Sequence, residues 1–243
     1  MSITGDKICF ICFLALLIVG VICFFGFRFR KELFTGKTFE YELANETDPF
    51  IQPKILFGFL SPEECDEIRR LGEKKGFTRS QLEDGKEDDA VRTSETCWIH
   101  PETEMIVDRI YKRIRELPEV KMMNDDVFME ALQVVRYGQG NYYKSHYDQC
   151  HDKVSYCIDQ IKEFTGPRKW TLLLYLNDDY DGGETEFVAL DRRVKGRKGD
   201  ALLFHSLTND DTRVHPLSLH QGVPVRHGQK YIANVWIRKK QII

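Results

Sequence analysis

The sequence predicts a mainly β domain with flanking helices (α+β), of the antiparallel sandwich or barrel kind to which the jelly roll belongs, carried behind an N-terminal transmembrane helix. Three observations predict it. From about residue 129 the chain is a series of short runs rich in Val, Leu, Tyr, Phe and Trp, broken by Gly- and Asp-rich turns with no helical segment between them. Ahead of those runs lie two segments whose apolar residues recur at three- and four-residue spacing. Residues 8–27, ICFICFLALLIVGVICFFGF, carry no charge over twenty positions, a length that spans a bilayer core.

From the N-terminus, residues 1–31 read as a tail and an uncleaved signal-anchor. A secretory signal has a shorter apolar stretch and a small-residue cleavage site, and a buried core helix is rarely apolar on every face. Orientation is pulled two ways. Arg28, Arg30 and Lys31 follow the span while Lys7 alone precedes it, offset by Asp6, which favours a cytosolic domain. Against this, Cys65, Cys97, Cys150 and Cys157 form an even set that permits two disulfides in an oxidising lumen, and Asn45-Glu46-Thr47 is a sequon usable only there.

Residues 32–52 are polar and mixed, as expected of a stalk, and residues 53–243 form the folded domain. Ser61-Pro62-Glu63-Glu64 starts a helix: Ser61 caps it, Pro62 fits the first turn and Glu64 closes a capping box. Cys65, Ile68 and Leu71 then make its apolar stripe, which ends near Gly76. A second helix is expected from Pro101, with Ile106, Ile110, Ile114 and Leu117 on one face and a stop before Pro118. The strands follow as ALQVVRY, KWTLLLYLN, DALLFHSL and KYIANVWIR, with turns at GQGN, DDYDGGE and GRKGD. Composition is that of a globular domain, and a net charge of −3 offers no electrostatic footing for nucleic acid.

Chemistry gathers in KSHYDQCHD, residues 144–152. In an extended chain alternate side chains share a face, so His146 and Asp148 stand side by side with Tyr147 turned away. One neutral imidazole and one carboxylate, completed by a second His, make the facial triad of non-heme Fe(II) oxygenases. The H-x-D pattern alone is equally that of a solvated surface loop. Four later residues, His205, His215, His220 and His227, are candidates for the third ligand. In the last strand Tyr231, Ala233, Val235 and Ile237 form a core face, whereas Lys230, Ile232, Asn234 and Trp236 share the other. A buried lysine there needs an anionic partner, which a dicarboxylate would supply.

The block running through VVRYGQGNYYKSHYD, RKWTLLLYLND, GGETEF, KGDALLFHS and SLHQGVPVRHGQKYIANVWI, together with RTS at 92–94, resembles the prolyl 4-hydroxylase family of 2-oxoglutarate- and Fe(II)-dependent dioxygenases in its short single-domain form. The resemblance covers most of residues 55–240. It implies a double-stranded β-helix core, iron held by His146, Asp148 and His220, and Lys230 paired with the far carboxylate of 2-oxoglutarate. Tyr137 and Thr171 match family positions near the cosubstrate, and Trp236 matches one lining the active site. His205 then reads as a strand residue, and His151, His215 and His227 as solvated loop residues, so that His215→Ala is expected to leave turnover intact.

The implied reaction is hydroxylation of peptidyl proline at C4, coupled to decarboxylation of 2-oxoglutarate to succinate and CO2, with O2 as oxidant and ascorbate as the family's auxiliary reductant. Tyr142, Tyr143 and Trp236 are candidate groove aromatics for a proline-containing peptide. The family's usual setting implies a lumenal domain in the endoplasmic reticulum or secretory pathway. Two departures stand out: Arg238 where the family often has His, which bears on substrate contacts, and the dissimilar segment QCHDKVSYCIDQIKEFTGPRK, which carries Cys150 and Cys157. Hydroxylation of another side chain such as lysine, or a noncatalytic membrane-tethered binding module, are the competing readings.

Overall fold

The computed structural model describes residues 40, 42–82, 85–123, 127–149 and 166–239. Among them no helix is long and apolar enough to cross a membrane, and the uncharged run at 8–27 lies outside them, as do Cys150, His151 and Cys157.

Among the described residues, fourteen strands and three α-helices follow one another. Strand β1 is Lys54–Leu56, followed by helix α1 (Pro62–Lys75), β2 (Thr78–Arg79), β3 (Glu95–Ile99), α2 (Met105–Arg115) and α3 (Pro118–Lys121). Then come β4 (Val127–Met129), β5 (Leu132–Tyr137), β6 (Tyr143–His146), β7 (Arg168–Tyr175), β8 (Asp181–Gly182) and β9 (Thr185–Phe187). The series ends with β10 (Arg192–Val194), β11 (Ala201–His205), β12 (His220–Gly222), β13 (Val225–His227) and β14 (Lys230–Lys239). The large sheet runs β1-β11-β7-β14-β5-β3-β2 with β4 also on β14, and a smaller sheet runs β10-β9-β12-β6. Every strand pair is antiparallel, as a jelly roll requires.

The large sheet is buried on both faces. Against one lie the helices, whose Ile68, Leu71, Ile106, Ile110 and Ile114 pack with Leu132, Val134, Leu172, Leu174, Ala233, Val235 and Ile237. Against the other lies the small sheet, with Val135, Leu173, Tyr175, Phe187, Leu202, Phe204 and Ile232 between them. The period of two in β14 sorts its residues cleanly between these layers.

Helix α1 begins as its sequence dictates: Ser61 Oγ accepts from the Glu64 N–H, and the Glu64 carboxylate accepts from the Ser61 N–H. It ends at Gly76, which has a φ of 88°. Helix α2 starts at Met105 rather than Pro101. Residues 101–103 instead make a turn in which the Thr103 N–H donates to the His100 carbonyl. Strand β3 was not anticipated; its five residues mix polar and apolar side chains because one face looks into the cavity described below. Part of the expected stalk lies on the domain, with Leu43 bridging Val214 and the Ala44 N–H donating to the Val214 carbonyl.

Candidate active site

Strands β6 and β12 are neighbours in the small sheet, and their register sets His146 directly opposite His220, with ring centroids 4.3 Å apart. Asp148 follows two residues after the end of β6. Its Oδ1 lies 3.7 Å from His146 Nε2 and 3.8 Å from His220 Nε2. One ligand atom from each of the three residues falls within 4.8 Å of the others, the only such metal-binding cluster among the described residues.

Local hydrogen bonds decide which atoms face the centre. A carbonyl oxygen only accepts, so His146 Nδ1 donates to the Lys144 carbonyl at 2.8 Å and His220 Nδ1 donates to the Ser218 carbonyl at 2.9 Å. Both Nε2 lone pairs are thereby left for a metal. The Thr171 hydroxyl donates to Asp148 Oδ2 at 2.6 Å, which leaves Oδ1 between the two imidazoles. Burial, reinforced by His220, pushes the His146 imidazole down to about 3, so it is neutral. Burial alone would raise the Asp148 carboxyl, but the two histidines, the Thr171 hydroxyl and Arg168 hold it below the usual carboxylate range. A neutral imidazole beside an ionised carboxylate is the protonation state that metal binding requires. Tyr143 stacks on the His146 ring with centroids 3.6 Å apart and fixes its plane.

A cavity of about 670 Å³ is lined by His146, Asp148 and His220 together with Tyr137, Leu173, Thr185 and Lys230. Lys230 is 2% exposed, and its Nζ donates to the Gly183 carbonyl at 2.7 Å and lies 5.1 Å from the Tyr137 ring centroid. Burial pushes the ammonium down to about 8, against the pull of Glu184. No ion pair to Lys230 forms among the described residues, so the cation stands ready for an acidic ligand. Gly183 permits this approach: its φ is 67°, and a Cβ there would sit 3.2 Å from the Lys230 side chain.

The other expected residues divide. Tyr137 lines the cavity. Thr171 donates its hydroxyl to Asp148 and is not among the residues lining the cavity. Trp236 lines the cavity with its ring 6.0 Å from that of Trp98 and the Arg168 guanidinium stacked 3.8 Å away. Tyr142 points elsewhere, donating its hydroxyl to the Asp89 carbonyl.

Among the remaining histidines, His205 is buried in β11 as expected and His227 is exposed. His215 contradicts its expectation. It is wholly buried, with Nε2 2.9 Å from the Asp48 carbonyl and Nδ1 accepting the Leu217 N–H. Cys65 and Cys97 are buried free thiols rather than disulfide partners, and burial pushes the Cys65 thiol up to about 11.

Glu130 and Arg168 escaped sequence reading. Arg168 Nε and Nη2 donate to Glu130 at 2.6 and 2.8 Å, Arg168 Nη1 donates to the Asp148 carbonyl, and Arg238 Nε donates to Glu130 at 2.6 Å. Arg238 is therefore engaged inside the wall, 1% exposed, rather than facing the groove. The available signal was Glu130 within the otherwise uncharged run FMEALQ, since a buried charge demands a charged partner. Arg92 of the RTS triplet also lines the cavity, bonded to Ser94 Oγ at 2.9 Å and stacked on Tyr143.

Comparison with known proteins agrees with this geometry. Residues 132–238 match the 2OG-Fe(II) oxygenase superfamily. The protein named "Putative prolyl 4-hydroxylase" of Acanthamoeba polyphaga mimivirus is 38% identical over 202 residues, spanning 83% of this chain and 80% of that one. Prolyl 4-hydroxylase 1 of Arabidopsis thaliana is 33% identical over 205 residues, 76% of this chain and 68% of its own. The crystal structure of the viral collagen prolyl hydroxylase of Paramecium bursaria Chlorella virus-1, in complex with 2OG, is 34% identical with a TM-score of 0.61. It is aligned over 77% of this chain and 96% of that one. With a donor set suited to iron and a buried cation lining the same cavity, and with relatives of this similarity and coverage, the chain belongs to the prolyl 4-hydroxylase family of 2OG-Fe(II) oxygenases.

Proposed function

We propose that the chain hydroxylates proline at C4 within a peptide or protein, using Fe(II), O2 and 2-oxoglutarate, with ascorbate as auxiliary reductant. The observation that carries this reading is that His146, Asp148, His220 and Lys230 all border one cavity. A ferrous ion bound by the first three supplies oxygen activation, coupled to decarboxylation of 2-oxoglutarate to succinate and CO2, sufficient to hydroxylate an unactivated C–H bond.

The chain's own residues do the rest. His146, Asp148 and His220 would hold the ion, and three protein ligands would leave positions on it for cosubstrate and O2. Lys230 holds the distal carboxylate through a charge-assisted hydrogen bond, and Tyr137, Leu173, Phe204 and Ile232 enclose the chain between the two ends and keep water out. Thr171 keeps Asp148 turned toward the metal. Tyr143, Trp236 and Trp98 line the same cavity and offer aromatic faces suited to proline rings in an extended, polyproline-like strand. Trp236 is thus assigned to substrate positioning, and Arg168 keeps its ring in place.

The same proposal includes a membrane tether at residues 8–27 and a lumenal domain in the secretory pathway, supported by the uncharged run and by the sequon at the exposed Asn45. The charges at Arg28, Arg30 and Lys31 argue for the opposite orientation, and glycosylation mapping of Asn45 in microsomes decides between them.

The reading is tested by supplying the protein with Fe(II), 2-oxoglutarate and a panel of peptides. Proline-dependent succinate release, with one oxygen atom added to a proline-containing peptide by mass spectrometry, is the expected result. Turnover that modifies lysine peptides and leaves every proline peptide untouched would replace the substrate assignment. Absence of both metal binding and decarboxylation would favour a binding module.

A further inference from the structure

His215 lies outside the cavity and has no part in the chemistry above, yet it is 0% exposed with both ring nitrogens engaged. The Asp48 carbonyl can only accept, so Nε2 carries the proton. Nδ1 is then a lone pair, and it accepts the Leu217 N–H at 3.1 Å. One tautomer satisfies both contacts, and the ring packs 4.6 Å from that of Phe50.

Those contacts lead to the iron site. Leu217 belongs to the short 3-10 turn Pro216–Ser218, which His215 caps. Ser218 closes the turn by donating its hydroxyl to the His215 carbonyl at 2.7 Å. Its own carbonyl receives the His220 Nδ1 proton at 2.9 Å. The outer end of the chain of contacts is also held: the Ala44 N–H donates to the Val214 carbonyl at 2.9 Å, and the Glu40 N–H donates to the Thr212 carbonyl.

We propose that His215, braced by the Asp48 carbonyl, is a positioning residue for the metal centre, holding the turn whose Ser218 carbonyl aims His220 at the ion. This rests on the reading of His220 as a ligand. It also makes the segment at 42–50 part of the ligand scaffold. A carbonyl that fixes a ligand's ring and tautomer is an outer partner of the kind whose loss weakens metal affinity by about 10–100-fold.

The test uses the full chain without iron, titrated with Mn(II) and followed by the EPR signal of the free ion, together with ¹⁵N NMR of histidine-labelled protein. His215→Ala should weaken Mn(II) binding about tenfold or more and convert His220 from a single Nδ1–H tautomer to a mixture. His215→Asn, whose side-chain oxygen replaces Nδ1 as acceptor for Leu217, should restore most of both; the exposed His227→Ala should change neither. His215→Gln reaches Asp48 but misplaces the acceptor, so it should bind Mn(II) more weakly than His215→Asn. That contrast decides the matter even where the alanine variant does not fold. Lowered thermal stability with wild-type Mn(II) affinity and an unchanged His220 tautomer, or equal affinities for the Asn and Gln variants, would overturn the proposal and leave His215 a packing residue. Wild-type affinity in His220→Ala would instead overturn the ligand reading on which it stands.

Discussion

The two faces of β14 obey different rules although they alternate along one strand. Toward the helices, Tyr231, Ala233, Val235 and Ile237 join an apolar layer held by non-directional burial. Toward the cavity, Lys230, Asn234 and Trp236 are polar or amphipathic, and each is placed by a specific neighbour: the Gly183 carbonyl, the Gln133 carboxamide and the Arg168 guanidinium. The first face makes the sheet stable. The second spends some of that stability on a desolvated cation and a rigid set of ligands, as binding sites commonly do. The contrast predicts that substitutions on the helix side lower stability and leave the chemistry of the folded fraction alone, whereas those on the cavity side do the reverse.

The largest effect is expected at Asp148. Asp148→Ala should all but abolish proline-dependent succinate release, because it removes one of the three ligands, while thermal melts show a folded protein; residual turnover near wild type would break the contrast at once. Next is Ile110→Ala on α2, fully buried under the sheet, which should lower unfolding free energy by about 2–5 kcal/mol in urea titrations. The Michaelis constant for 2-oxoglutarate should not move.

Lys230→Met should raise that constant by one to two orders of magnitude, in line with the loss of about 1.5–3 kcal/mol from a charged hydrogen bond. The same variant should be more stable than wild type at neutral pH, because it removes a buried cation. The pH dependence has a definite sign. Burial lowers the folded pKa of Lys230 to about 8. Between there and the unfolded value, roughly 10.4, the unfolded chain binds more protons and wild-type stability rises with pH. The advantage of Lys230→Met should therefore be full below about 8 and shrink as pH climbs through that window, and wild-type affinity for 2-oxoglutarate should fall over the same range. The smallest effect is expected for Thr171→Val, which frees Asp148 Oδ2: Mn(II) affinity should fall by about tenfold, with little change in the melting temperature.

The legible parts of the molecule were those whose physics is local. The capping box at Ser61 and Glu64 lies within four residues, and the period of two in β14 runs over ten. The ligand pair His146 and Asp148 is two residues apart, and resemblance supplied His220. What escaped depends on partners remote in sequence. His215 looked like a loop residue because its acceptor, the Asp48 carbonyl, is 167 positions away. The bond from Thr171 to Asp148 joins residues 23 positions apart. Glu130 is defined by Arg168 and Arg238, on two other strands. Strand β3 was obscured by its cavity face, where Thr96 and Trp98 spoil the alternation expected of a half-buried strand.

The most direct test is a crystal structure of the protein grown with Mn(II) and N-oxalylglycine, standing in for Fe(II) and 2-oxoglutarate. The expected density places the ion against His146 Nε2, Asp148 Oδ1 and His220 Nε2, with the chelator's far carboxylate on Lys230 Nζ. An ion held by other residues, or a chelator whose far end lies away from Lys230, would contradict the account.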